Sequence, residues 1–308
     1  MKNPFFSAVI PTHNRSKMAC EAVVSALKQS FLDFEVIVID DGSTDDTQSE
    51  LEKFKHQIHY FKQPNGGVSS ARNLGIAKSK GLYICYLDSD DLWESDYLEN
   101  IYRHIQNNNK PDVILTNFKR FDLRSEQYSP VTNTQIFPQV KKIFEHISDN
   151  FYQAEKLESL ECILSGYPVF PSALTIKRSV HDDIRWDTAI LKSEDFNIAC
   201  KLAFYTKLSY IDVAKVIVRM HDSNKSYDSD FKERVHTATM MAVKNLYANS
   251  DKQRKIVDKY IARRMLLLGH QKMNRGKVIA ALSHYFTAVQ YPQTWRHILQ
   301  KLTRKNGH

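Results

Sequence analysis

Four short apolar runs within roughly the first 90 residues, each ending in a polar cluster, constrain this chain of 308 residues more than any other feature. Phe6-Ser7-Ala8-Val9-Ile10 precedes Pro11-Thr12-His13-Asn14-Arg15. Phe34 to Ile39 runs into Asp40-Asp41-Gly42-Ser43-Thr44-Asp45, and His59-Tyr60-Phe61 precedes Asn65-Gly66-Gly67. Leu82 to Leu87 ends in Asp88-Ser89-Asp90-Asp91. Between these runs, Ser16–Gln29, Thr47–Phe54 and Ser70–Lys78 have helical spacing; in the first, Ala19, Val23, Ala26 and Leu27 share a face. Alternating strands and helices predict an α/β fold, a mostly parallel sheet flanked by helices and joined by right-handed crossovers. The near-continuous apolar run at 34–39 is what a strand buried on both faces requires. Ligands of such sheets sit beyond the carboxyl ends of the strands, so the four polar clusters should converge on one edge.

The last cluster is the most demanding. Three carboxylates within four positions repel one another and have poor strand propensity, so a cation usually offsets them. A hard divalent ion such as Mg2+ or Mn2+ takes oxygen ligands and often bridges protein carboxylates to phosphates. The plainer alternative is a solvated acidic turn capping the next helix, which the spacing predicts over Leu92–Asn107.

A hydrophobic content of 42% supports a packed core, and 25% charged residues is ordinary for a soluble protein. No run reaches the roughly 18 apolar residues of a membrane span, and no signal-peptide apolar region precedes Thr12, so a cytoplasmic location is expected. The cysteines Cys20, Cys85, Cys162 and Cys200 lie far apart and read as reduced, buried thiols rather than a zinc site or disulfide frame. Charge is unevenly placed. Residues 251–308 hold 13 Lys/Arg and two acids, a net +11 against +8 for the whole chain, which leaves residues 1–250 at −3. Such a tail suits an anionic surface, or it is simply a solvated helical face. It lacks the interleaved aromatics of a nucleic-acid binder, so nucleic acid is not an expected partner.

Beyond Asp91, strands are predicted at Asp112–Phe118, Ser172–Ile176 and Leu208–Met220, and helices at Leu157–Leu164 and Glu194–Tyr205. Residues 124–150 read as a loop or lid, and the pattern is helical from about Lys232 onward.

Taken together, Ala8 to Arg15, Val38 to Asp45, Asn65 to Gly75 and Leu87 to Asp91 resemble the ordered motifs of the family 2 glycosyltransferases. Ser193-Glu194-Asp195-Phe196 and Arg219-Met220-His221 extend the resemblance to about residue 226. One departure is His13, where the family more often has Tyr; an imidazole can still stack on a base.

The resemblance implies a GT-A fold over 1–226, with 1–120 as the nucleotide-sugar part and 121–226 as the acceptor side, followed by a basic helical region at 227–308. It implies an inverting transfer of a sugar from a nucleoside diphosphate, with UDP favoured, to an acceptor hydroxyl. The setting would be bacterial surface polysaccharide or glycolipid synthesis, so the acceptor is a glycan or glycolipid. Pro11, Thr12, His13, Asn14, Arg15, Asp40, Asp41, Asn65, Gly66, Arg72, Asp88 and Ser89 would line the nucleotide sugar. Of these, Thr12 and Asp41 would contact base and ribose, and a carboxylate at 41 suits the N3–H of uracil. Asp90, Asp88 and His221 would hold Mn2+ or Mg2+. Asp195 would be the general base, with Glu194 as runner-up. Trp93 and Trp186 are read as core or as stacking platforms for a sugar, with core favoured for Trp93. In the tail, 292–308 places Trp295, Ile298, Leu299 and Leu302 on one stripe, which suits an anionic membrane at its inner face or packing on a neighbouring domain or subunit of a homo-oligomer. Two rival readings are a nucleotidyltransferase that makes nucleotide sugars, and a non-catalytic binder on the same fold.

Overall fold

The computed structural model describes residues 3–190, 192–222 and 229–291, with the side chains of 229–234 excepted. They fall into two compact units, residues 1–163 with 167–225, and residues 226–308 with the short stretch 164–166.

The first unit is built on one mixed sheet. Its strands are β1 (Phe6–Thr12), β2 (Phe34–Asp40), β3 (His59–Lys62), β4 (Tyr83–Tyr86), β5 (Leu92–Trp93), β6 (Val113–Asp122), β7 (Gln127–Tyr128), β8 (Glu145–Ser148), β9 (Phe151–Ala154), β10 (Leu174–Lys177) and β11 (Leu208–Met220). Its helices are α1 (Ser16–Leu27), α2 (Thr47–Leu51), α3 (Val68–Lys78), α4 (Tyr97–Asn107), α5 (Asn133–Ile136), α6 (Gln139–Ile143), α7 (Lys156–Leu164) and α8 (Glu194–Tyr205). The strand order is β3-β2-β1-β4-β10-β6-β11-β9-β8, with β5 beside β11 and β7 beside β6.

The first four strands are parallel, as the alternation predicts. In register, Thr12 lies opposite Asp40 and Val9 opposite Tyr86, so the polar ends of β1, β2 and β4 come out at one level. Antiparallel β10 then joins β4 to β6, and β6 pairs in parallel with β11. Parallel pairing therefore dominates the β3-β2-β1-β4 half of the sheet and mixed pairing the other.

Helix α3 lies flush on the sheet: a Cβ at Gly75 would come 2.3 Å from Val9 Cγ1, so only glycine permits this approach. Gly42 (φ +78°) is needed twice over, since its backbone is left-handed and a Cβ there would meet the Asn65 amide nitrogen at 2.8 Å. The core beneath β1, β2 and β4 includes Phe6, Ala8, Ile10, Val36, Val38 and Cys85, and all four cysteines are buried free thiols.

Several predicted elements shift: β6 runs four residues past the predicted Phe118, and the helix over 47–54 is 3-10 from Glu52. The expected helix 92–107 is instead strand β5 followed by α4, because Leu92 and Trp93 pair with Ile217 and Val216. The expected strand at Ser172 starts two residues later, after a 3-10 turn over Pro171–Ala173. Residues 124–150 contain β7, α5, α6 and β8. Helix α8 and strand β11 have the predicted bounds. Trp93 is core, stacked on Tyr97 at 4.6 Å with its Nε1 donating to the Ser172 carbonyl at 2.9 Å.

The second unit holds α9 (Ser229–Tyr247), α10 (Asp251–Asn274) and α11 (Val278–Val289). Ser250 caps α10 by accepting the Gln253 amide at 3.3 Å. Among the described residues no helix is long and apolar enough to cross a membrane. The amphipathic stretch proposed for a membrane surface, 292–308, lies outside the described residues.

A buried histidine beneath the site carries a pH expectation. His181 Nδ1 lies 2.8 Å from the Ile184 carbonyl, which can only accept, so Nδ1 bears the proton. Its Nε2 then accepts from the Tyr86 hydroxyl at 2.7 Å. Burial pushes the imidazole down to about 4, so the folded chain holds it neutral where an unfolded histidine protonates. The stability it contributes is present above an unfolded pKa of about 6.5 and is lost as pH falls towards 4, about 3 kcal/mol in all. Urea unfolding between pH 7 and 4 should show this slope, and His181→Gln should flatten it; equal slopes would assign the acid sensitivity elsewhere.

Candidate active site

Direct hydrogen bonds knit the four strand-end loops together. Asn14, in a left-handed conformation (φ +50°), donates its backbone N–H to Ser43 Oγ at 2.9 Å and accepts the Thr44 amide at 2.8 Å. Asn65 Nδ2 reaches the His13 ring at 3.2 Å. Arg15 pairs with Asp90 of the acidic loop. Pro11 and Thr12 are buried at the end of β1, whereas His13 and Asn14 are exposed. Thr12 Oγ1 has no hydrogen-bond partner among the described residues.

The adjacent acids Asp40 and Asp41 do different work. Asp40 is wholly buried; its oxygens accept the Ser43 amide at 2.7 Å and the Tyr60 hydroxyl at 2.5 Å, with Lys62 Nζ at 3.9 Å. It holds the turn after β2. Asp41 accepts Gln63 Nε2 at 2.6 Å and the Gly66 and Gly67 amides at 2.9 and 2.8 Å, which fixes the entry to α3. A carboxylate offers about four lone-pair directions, so one remains on Asp41.

The acidic loop after β4 is braced from below. Asp91, 5% exposed, accepts Ser172 Oγ at 2.5 Å and the Arg219 amide at 3.1 Å. Burial, with Asp90 and Asp88 close by, pushes its carboxyl well above the usual range. Arg219, 3% exposed at the end of β11, sends its guanidinium to the carbonyl of Asp90, the carbonyl of Ser89 and the carboxylate of Glu21. Ser89 is buried. Two residues on, His221 Nε2 stands 3.2 Å from Asp90 Oδ2, the oxygen that Arg15 also reaches.

Arg72 joins this loop to helix α8. It sits one turn into α3 and is 2% exposed. Its Nη2 donates to Asp88 Oδ1 at 2.7 Å and its Nη1 to Glu194 Oε1 at 3.3 Å. Burial raises the Asp88 carboxyl, the Arg72 charge pulls it back down, and Asp90 raises it again. Glu194 and Asp195 open α8 behind Ser193, which is held at φ +60°. Asp195 Oδ1 accepts the Phe196 amide at 2.7 Å. Trp186 faces Arg72 at 4.3 Å and is 2% exposed, so the ring stacks on a guanidinium, not on a sugar.

The residues present fit a hard cation. Oxygens of Asp88, Asp90 and Asp91 lie within 4.8 Å of one another. Asp91 is occupied by Ser172 and Arg219, but Asp88 Oδ2 and Asp90 Oδ1 carry no hydrogen bond among the described residues. An ion that keeps waters and phosphate oxygens needs only one or two protein carboxylates.

The structure thus brings Arg15, Asp88, Asp90 and His221 together, and links them through Arg72 to Glu194 at the start of α8. Sequence reasoning counted Asp91 only as one of three clustered acids and gave no separate role to Ser172, Asn73 or the Arg219 side chain. Arg219 was visible only as a neighbour of His221, and a basic residue in an apolar strand was the available signal.

The mixed α/β sheet flanked by helices is that of the GT-A fold. The model of glycosyl transferase family 2 matches residues 7–167, and the chain belongs to that family. An uncharacterized glycosyltransferase of Rickettsia bellii is 48% identical over 106 residues, which is 33% of this chain and 15% of the relative; the chain thus matches only a small part of that longer protein. In structure the chain is similar to residues 1–349 of TarS from S. aureus in complex with UDP-GlcNAc. The TM-score is 0.66 at 21% identity, covering 92% of this chain and 81% of that one. It is also similar to the mannosyltransferase PcManGT of Pyrobaculum calidifontis in complex with GDP-Man and Mn2+, with TM-score 0.58 at 14% identity, covering 99% and 80%. At these identities the likeness is one of fold.

Proposed function

We propose that this chain transfers a sugar from a UDP-sugar to an acceptor hydroxyl with inversion, using a divalent cation held by Asp88 and Asp90, with His221 beside them. The observation that carries this reading is the pair of unengaged oxygens on Asp88 and Asp90, one ion pair away from the start of α8. A bound divalent cation supplies Lewis-acid neutralisation of the departing diphosphate. Thr12 Oγ1 and the remaining lone pair of Asp41 are the groups for base and ribose. His13 and Asn65, exposed at the same rim, flank the base, and Arg15 faces the diphosphate. Asp40, Pro11, Asn14, Gly66 and Ser89 shape the loops.

Asp195 takes the acceptor proton as the acceptor oxygen bonds to the anomeric carbon and the bond to the diphosphate breaks. Glu194 is the second candidate because its Oε1 already accepts from Arg72 Nη1 at 3.3 Å. One displacement with one base and no enzymic nucleophile inverts the anomeric centre.

We assign catalysis to residues 1–226, which contain every residue named above, and the acceptor to the glycan or glycolipid class. Such an acceptor and a net +11 over 251–308 favour the inner face of an anionic membrane as the working location. UDP as the donor nucleotide is supported by TarS, recorded with UDP-GlcNAc, and GDP is the rival, recorded with PcManGT. Nucleotide release from UDP- and GDP-sugars, with Mn2+ and with EDTA, tests the reading. UDP release that needs the metal is expected. No release from any donor, or pyrophosphate release from a sugar phosphate and a nucleoside triphosphate, would overturn it.

A further inference from the structure

We propose that Trp186 is a positioning residue: its ring, anchored by Asn73, holds the Arg72 guanidinium in the plane that ties Asp88 to Glu194. It thereby sets the spacing between the acidic loop and the helix that carries Asp195. The inference rests on the transferase reading above.

Arg72 makes two hydrogen bonds from its fork, to Asp88 at 2.7 Å and Glu194 at 3.3 Å, while its Nε has no partner among the described residues. Two bonds from the terminal nitrogens leave the guanidinium free to tilt about the line joining its acceptors. The indole face at 4.3 Å removes that freedom, and cation–π attraction favours contact over withdrawal.

The indole is not placed by a hydrogen bond of its own, since its Nε1 also has no partner among the described residues. Its backbone is placed instead. The Asn73 side chain donates to the Trp186 carbonyl at 2.8 Å and accepts the Trp186 amide at 3.1 Å. Tyr86 packs against the indole in an edge-to-face contact, with ring centroids 5.3 Å apart. Asn73 follows Arg72 on α3, so one helical turn references both the guanidinium and the ring that backs it. Trp186 precedes Glu194 by eight positions, and the Arg72 that its ring backs bonds Glu194 at the start of α8.

The test uses the full chain with Trp186→Leu, Trp186→Phe, Asn73→Ala and Asp195→Asn. It reads kcat, donor KM, the Kd for UDP with Mn2+ and the thermal midpoint, with rates normalised to folded protein. Trp186→Leu and Asn73→Ala should lower kcat by about 10- to 100-fold, as a small misplacement of catalytic groups does, with the UDP Kd changed by no more than about twofold. Trp186→Phe keeps an aromatic face over the guanidinium and should restore most of the rate. If kcat stays at the wild-type value in Trp186→Leu and Asn73→Ala while Asp195→Asn is inactive, the positioning role is refuted and the transferase reading survives. Should Trp186→Phe lose as much rate as Trp186→Leu, ring stacking is refuted as the cause. Where Trp186→Leu fails to fold, a wild-type kcat in Asn73→Ala refutes it. A fully active Asp195→Asn instead removes the reading on which the inference stands.

Discussion

Asp195→Asn is expected to bind UDP and Mn2+ like the wild type and to lose about 10²- to 10⁴-fold in transfer rate, the range ascribed to a general base. The substitution isolates proton transfer. An Asn oxygen can still accept the Phe196 amide that Asp195 Oδ1 accepts at 2.7 Å, so the first turn of α8 persists. An amide cannot take the proton of an acceptor hydroxyl. Calorimetry with UDP and a transfer assay on the same preparation separate the two properties. A variant with wild-type turnover would move the base elsewhere. Glu194→Gln is then the next candidate, though it would also break the contact with Arg72 at 3.3 Å and so disturb the link to Asp88.

Asp90→Ala is expected to abolish the metal-dependent part of nucleotide binding. Loss of a groups-outside-the-ligands interaction typically costs about 10- to 100-fold in metal affinity, so loss of a ligand should weaken UDP binding in Mn2+ by at least about 100-fold. Two consequences follow from the geometry. Arg15 and His221 both face Asp90 Oδ2, so the variant leaves a cationic guanidinium beside the proposed diphosphate site, and the weak binding that remains should not respond to EDTA. The loop itself should keep its shape, because Asp91, Ser172 and Arg219 brace it through atoms other than the Asp90 carboxylate. Titration of UDP with Mn2+ and with EDTA, alongside thermal unfolding, checks both points. An unchanged Kd in Mn2+ would remove Asp90 from the metal site.

Much of this site could be read from the chain because its parts are local. Asp88, Asp90 and Asp91 share one turn after an apolar strand, and the alternation of strands with helices is enough to place them at the carboxyl edge. Helix α8 and strand β11 were equally plain, one from 3.6-residue spacing and the other from a run of β-branched residues. A strand of two residues has no periodicity to detect, so Leu92-Trp93 merged into the following helix. Its strand character comes only from Val216 and Ile217 on a distant segment.

The amino-acid sequence by itself determined the α/β class, the order of the motifs, the family and the candidate acids, since each is a matter of residue type and short-range spacing. Which acid is free and which is bound was decided by the tertiary structure. Asp40 turns inward to Tyr60, Asp91 inward to Ser172 and Arg219, and Arg72 spans 122 positions of sequence to reach Glu194. Such choices depend on which side chains packing brings within about 3 Å, and hydrogen bonds at that range carry no trace in the neighbouring sequence.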